Sequence, residues 1–282
     1  MLRKYVLLFV LISLLPRAMS AQSPWPRSKA GFYIQAAWHF IPTYEGLFSP
    51  VSEEFPLDRE LSEGTFQMYG EYGITRKTTL SASLPVRFSK SGRFLGNFAT
   101  PETSEGSQRG LGNVSLGVRR AILEGNIRLT ASLRFDLPVD HYDDATGLSN
   151  GYNAWTVLPM LSTGMGFGRS YWFAYAGYGF RTNEFSHFLD LGVEGGFRFK
   201  KVWLIGFSEW LHSLENGAVE LPFHNRLTGL YVNDQGWWSI GVKSIFEFNR
   251  FWGVVVSAAG AADGQWVPKR PGFSAGAYFK WD

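Results

Sequence analysis

Between residues 127 and 138 the chain swaps apolar for polar at every step. Ile127, Leu129, Ala131, Leu133, Phe135 and Leu137 share one parity; Arg128, Thr130, Ser132, Arg134 and Asp136 share the other. Successive strand side chains point to opposite faces, so a period of two means a β-strand with one oily and one hydrophilic wall. The rest of the chain says whether the oily wall faces a protein core or lipid.

The pattern recurs with turn residues between its instances. Phe32, Ile34, Ala36, Trp38 and Phe40 oppose Tyr33, Gln35 and His39; Leu80, Ala82, Leu84 and Val86 oppose Thr79, Ser81, Ser83 and Arg87. Leu189, Leu191 and Val193 oppose Asp190 and Glu194, and Trp238, Ile240 and Val242 oppose Ser239 and Lys243. Segments 154–167, 171–181, 202–212 and 251–260 alternate less sharply. In 202–212 neither register gathers the polar groups on one side. With the last segment, from Gly272 to Trp281, twelve strands are expected, ten and fourteen being the neighbouring counts.

The connections alternate in length. Those at 75–77, 124–126, 168–170, 200–201 and 249–250 are short, whereas 43–64, 90–110, 140–152, 214–229 and 262–271 are long. Only the link at 182–184 is short where a long one is due. Short turns on one rim and long loops on the other are the pattern of an outer-membrane barrel, with the turns periplasmic.

The N-terminus reads as a secretory signal: Arg3 and Lys4, an apolar run from Tyr5 to Leu15, then small residues at Ala18, Ser20 and Ala21. That run is shorter than the roughly 20 residues a spanning helix needs. The expected organisation is a cleaved signal peptide at 1–21 and a single barrel domain at 22–282. The precursor carries 27 basic and 24 acidic residues. Arg3, Lys4 and Arg17 leave with the signal, so the mature chain balances and its charge argues for no nucleic-acid partner. There is no cysteine, hence no disulfide framework.

Two features favour lipid outside. Phe40, Phe88, Phe248, Trp252, Phe279 and Trp281 fall near strand ends, where interfacial aromatic girdles belong. The polar parities hold mainly Ser, Thr, Gly, Asn and Tyr with few charges, which suits a crowded lumen better than a solvated surface. Arg120 is the exception, on the oily parity, close enough to the Glu124 turn to snorkel.

The ending carries a first resemblance. Ser274, Gly276, Phe279 and Trp281 match the C-terminal recognition signal of bacterial outer-membrane barrels, from which Asp282 departs by following the last aromatic. The resemblance implies reading by the barrel-assembly machinery. A second lies at 110–119, Gly-Leu-Gly-Asn-Val-Ser-Leu-Gly-Val-Arg. It resembles a strand of the outer-membrane barrel family associated with the meta-cleavage pathway of phenol degradation. Asn113 stands where that family has an acid, and the ending 137–140 lacks the family's glycine. The resemblance implies a channel for small molecules, aromatic or hydrophobic ones among them.

The expected fold is thus all-β, a transmembrane antiparallel up-and-down barrel in the bacterial outer membrane, with membrane lipid as its solvent. Twelve strands about 4.8 Å apart and tilted about 40° give a backbone radius of roughly 12 Å, between the filled eight-stranded and the open sixteen-stranded barrels. Lumen side chains then decide function. Arg87, Arg119, Arg128 and Arg134 are expected to project inward as a basic arc flanked by Glu71 and Asp136, with Asp190 and Glu194 further round. That set is the expected constriction of a channel; its structural alternative is a salt-bridged plug. Tyr33, Tyr69 and Trp210 are the lumen aromatic candidates.

Two other functions compete. One is a non-transporting barrel whose loops, above all the acidic 43–64, bind a partner. The other is an embedded acyl hydrolase, which needs a serine within reach of a histidine. Gly147 stands where a histidine would precede Ser149-Asn150, and the adjacent His212 and Ser213 would point to opposite faces. No enzyme, cofactor or metal site is expected; Asp140, Asp143 and Asp144 match no ordered calcium loop.

Overall fold

The computed structural model describes residues 23–282; the expected signal peptide lies outside them. Thirteen strands and a short helix follow one another: β1 (Phe32–Leu47), β2 (Phe55–Gly73), β3 (Thr78–Phe94), β4 (Gly106–Leu111), β5 (Ser115–Glu124), β6 (Ile127–Asp136), β7 (Thr156–Phe167), β8 (Ser170–Arg181), β9 (Phe188–Phe199), β10 (Val202–Ser213), α1 (Phe223–Thr228), β11 (Gly236–Glu247), β12 (Trp252–Gln265) and β13 (Gly272–Trp281). Each strand is antiparallel to its neighbours, and β13 pairs with β1 from Phe32↔Trp281 to Phe40↔Phe273, so the sheet closes. β3 pairs with β5 over 78–83 and with β4 over 86–91. β4 and β5 are therefore one wall position broken at Gly112, Asn113 and Val114, and the barrel has twelve.

The alternation places oil outside. On β6, Ile127 is 58% exposed while Thr130 is fully buried, and on β11 Val242 is 64% exposed. Leu84, Leu161, Val193 and Leu204 likewise face out, while Thr79, Asp190 and Glu194 are buried inside. A closed ladder with apolar side chains outward satisfies the backbone internally, which is what hydrocarbon demands of a spanning chain. Arg120 is outward, exposed, and pairs in register with Thr78 beside the turn, as the snorkelling expectation requires. The interior is not uniformly polar. Leu158, Met160, Phe173, Phe188, Trp203 and Ile205 pack into an apolar flank on β7–β10, which is why β7, β8 and β10 showed weak face contrast.

Strand lengths correct the expected loops. β1, β2 and β3 run 16, 19 and 17 residues, whereas a tilted membrane strand needs only about 9–11. The long loop expected at 43–64 shrinks to 48–54, because Leu47 pairs with Phe55 after two bulges in β1. The one expected at 90–110 shrinks to 95–105. Their sequences hide this because, in the extension of β1 and β2, bulges break the period of two and the apolar residues Tyr44, Leu47, Leu57 and Leu61 turn inward rather than outward.

Candidate functional site

Three layers occupy the lumen. Nearest the rim that carries the short turns and both ends of the described chain, the segment 23–28 follows the inner wall from β6 back to β2, and only its Trp25 reaches toward β8. Arg119 Nη1 on β5 donates to the Ser23 carbonyl (3.1 Å), and Thr130 Oγ1 on β6 donates to the Pro24 carbonyl (2.7 Å). Trp25 then packs edge-on against Tyr171 and Phe173 of β8, at 5.8 and 6.1 Å between centroids. Beside Arg119, whose register partner is Thr79, the Arg27 amide donates to Thr79 Oγ1 (2.8 Å) and its guanidinium reaches Glu71 Oε2 (2.9 Å) and Asp282 Oδ1 (3.2 Å). Glu71 is fully buried between two cations, accepting from Arg119 Nη2 at 2.9 Å and from the Tyr69 hydroxyl at 2.7 Å. The absence of a side chain at Gly73 lets this segment lie close: a Cβ there would collide with the Ser28 carbonyl.

Above this segment lies a cavity of about 740 Å³. Arg87, Arg134 and Arg181 line it from β3, β6 and β8; Asp190 and Glu209 line it from β9 and β10, and Glu63 from β2. Arg134 is paired with Asp136 of its own strand at 3.1 Å, and Arg87 donates to Thr65 Oγ1 at 2.8 Å. Tyr175 and Trp237 add apolar wall. Arginines from β3, β6 and β8 and carboxylates from β2, β6, β9 and β10 thus interleave around one cavity.

The third layer is a roof built by the loops 137–155 and 214–235. Leu148 and Leu230 from these loops pack with Tyr44, Leu47, Leu57 and Leu61 of the long β1–β2 hairpin, and Thr228 Oγ1 donates to the Gly147 carbonyl at 2.8 Å. Asn113, at the break between β4 and β5, clamps the roof to the wall. Its amide donates to the carbonyls of Leu137 (2.7 Å) and Tyr152 (2.8 Å), and its oxygen accepts the Tyr152 N–H at 2.8 Å. Tyr152 is held in turn by Arg181, whose guanidinium lies 4.0 Å from the ring centre, and by a hydrogen bond to Gln235. Burial pushes the Tyr231 hydroxyl up to about 12 and raises that of Tyr152, so both remain neutral phenols at any pH the outer surface meets.

The clamp makes a prediction at the position where the family resemblance departs from its pattern. Asn113→Asp keeps the acceptor but loses both donations, leaving a carboxylate facing two carbonyls. At about 1 kcal/mol per hydrogen bond and more for the unpaired charge, Asn113→Asp is expected to destabilise the barrel at least as much as Asn113→Ala. The temperature at which the compact gel form is lost measures it; an aspartate variant as stable as the parent contradicts the clamp.

No protein-family model matches the chain, and no curated protein matches it in sequence. Solved structures do match in fold. The COG4313 outer membrane channel from Pseudomonas putida F1 aligns with a TM-score of 0.67 at 14% identity, covering 94% of this chain and 100% of that one. The NanC porin gives 0.54 at 6% identity over 89% and 100%. The translocator domain of the autotransporter NalP from Neisseria meningitidis gives 0.50 at 12% over 91% and 90%. The fold is that of an outer-membrane β-barrel.

Within it, the residues expected to form one constriction are divided. Arg87, Arg134, Asp136 and Asp190 line the central cavity. Arg119 and Glu71 instead bind the N-terminal segment a layer below. Glu194 is taken up by Tyr171 and Lys243, each at 2.6 Å. Arg128 lies near the short turn, opposite Glu124 in register, and lines neither of these layers. Tyr33 and Tyr69 do face inward, but they pack around Arg27 and Glu71 rather than along the cavity. Trp210 is a correction: it is 41% exposed on the outer wall, because Glu209 and Leu211 take the inward positions of β10. Phe279 and Trp281 point outward beside Phe251, and Ser274 bonds Ser257 at 2.6 Å across β12–β13. Gly276 lets β13 approach Ala37 of β1. His212 stacks on Trp210 on the outer wall, away from Ser213, which faces in and bonds Asp234.

Sequence reasoning missed Arg181, Glu209 and Glu63 in the cavity and Arg27 below it. Arg181 ends its strand, Glu209 sits in the strand of ambiguous register, and Glu63 fell in an expected loop. The run Ser-Pro-Trp-Pro-Arg at 23–27 has no periodicity to read.

Proposed function

We propose that the protein is an outer-membrane channel for small polar or ring-bearing molecules, closed at its periplasmic end by its own N-terminal segment. The observation that carries this is the 740 Å³ cavity inside a closed barrel, lined by Arg87, Arg134 and Arg181 and by Glu63, Asp136, Asp190 and Glu209. A charged lining of that kind acts on the dipole and the charge of a passing solute. The charged lining favours solutes with polar groups over plain hydrocarbons. In this reading Arg87, Arg134, Asp136 and Asp190 form the constriction, while Arg119 and Glu71 hold the closure. The resemblance at 110–119 supports placing the chain with the barrel family of the phenol meta-pathway. In the same reading outer-membrane lipid is the solvent of the outer wall, and the match of Ser274, Gly276, Phe279 and Trp281 to an assembly signal supports the barrel-assembly machinery as its reader.

Ion selectivity tests the reading. Arg87→Glu with Arg134→Glu moves the lining by four negative charges, so the reversal potential in a salt gradient is expected to shift strongly toward cation selectivity. The matching Asp190→Lys with Glu209→Lys is expected to shift it the other way. Identical reversal potentials in all three proteins would remove the cavity from the conduction path.

A further inference from the structure

A second cavity, of about 290 Å³, opens among the extracellular loops above the first. Its floor is an aromatic partition. Phe185 lines the outer cavity, Tyr152 the inner one, and Tyr231 both. The three rings meet edge to face, Tyr152 to Phe185 at 5.6 Å and Tyr152 to Tyr231 at 5.3 Å. Tyr231 also holds a backbone φ of +55°, a conformation that favours glycine, with the Arg87 guanidinium 5.5 Å from its ring centre. Such an outlier in a wall between two cavities points to function.

We propose that the outer cavity is an entry site for a protonated single-ring amine, and that Tyr231 is the gate leaf between it and the lumen. The gate half rests on the channel reading; binding in the outer cavity does not. Size sets the first part of the ligand class. A cavity of about 150 Å³ already holds benzene, so this one takes a ring with a short side chain and no lipid. Walls and charge set the rest. Tyr142, Phe185 and Tyr231 offer ring faces and edges, which attract a cation. Asp140 and Glu220 supply the acids, while among the described residues the lining holds no Lys or Arg, and His141 is its one basic side chain. A carboxylate on the same ring would meet repulsion instead.

Tyramine and 4-hydroxyphenylacetate share a ring and differ in the sign of their charge, so they serve as probes. Calorimetry on the full-length protein in detergent is expected to show tyramine binding at least tenfold more tightly than 4-hydroxyphenylacetate. Asp140→Asn with Glu220→Gln is expected to abolish that preference, while Asp190→Asn with Glu209→Gln in the lumen leaves it. Equal binding of the two probes, or loss of preference only in the lumen variant, overturns the entry site. Proteoliposome uptake tests the gate. Tyr231→Ala is expected to speed tyramine entry severalfold, even though it removes one ring of the outer site. An unchanged entry rate overturns the gate. If no variant admits any solute, the channel reading and the gate fail together, and the calorimetry still decides the entry site.

Discussion

Glu71→Gln is expected to open the periplasmic end. In the parent, one buried carboxylate neutralises Arg27 of the N-terminal segment and Arg119 of the wall, at 2.9 Å each. Removing it leaves two buried guanidiniums facing each other. Breaking a buried pair by deleting one partner costs about 3–5 kcal/mol, and each 1.4 kcal/mol is tenfold in an equilibrium. The closed arrangement should therefore weaken by roughly a hundredfold to a few thousandfold, seen as a rise in open time and in mean conductance. Asp282, the partner 58% exposed at its side chain, contributes far less, and Asp282→Asn is expected to change gating little. Heat-modifiable migration on a gel checks that each variant is still a barrel. A folded Glu71→Gln protein that gates like the parent would show that the segment 23–28 is held by its backbone and Trp25 contacts alone.

The outer wall carries the second large effect. Val242 lies midway along β11 and is exposed where lipid would sit. Arginine at the bilayer midplane costs about 2–4 kcal/mol, against about 0–1 near the interface. Val242→Arg should lower the free energy of folding into vesicles by about the larger amount, and Phe248→Arg, at the turn, by about the smaller. Urea titration of folding into phospholipid vesicles measures both. Equal costs at the two positions would argue that β11 does not cross a membrane with its even parity outward.

The two predictions draw on parts of the molecule that were unequally legible in the sequence. Val242 was readable because lipid outside and polar groups inside give a period of two, which β6 keeps throughout and β11 keeps except at Trp237, Ser244 and Ile245. Trp210 was misread for the same reason: Glu209, Trp210, Leu211 and His212 give both parities one polar and one apolar residue. The broken wall position was readable only as composition. Gly110, Leu111, Gly112 and Asn113 look like the start of the strand that continues through Arg119, yet Gly112 and Asn113 leave the ladder, and Asn113 spends its side chain on the roof. Lumen charges were identified as inward by parity, but parity gives no depth. Arg119 and Arg87 share a wall and a sign; one lies beside the segment 23–28 and the other beside the cavity. The segment 23–28 left no periodic trace, since it is fixed by partners 44 to 255 positions away in the chain.

Single-channel recording of the full-length protein beside a variant lacking residues 23–29 tests the central claim most directly. The account predicts rare or small current steps for the full chain, and frequent, larger, ion-selective steps once the segment is gone. Two correctly folded barrels that both conduct nothing, or that conduct identically, would contradict it.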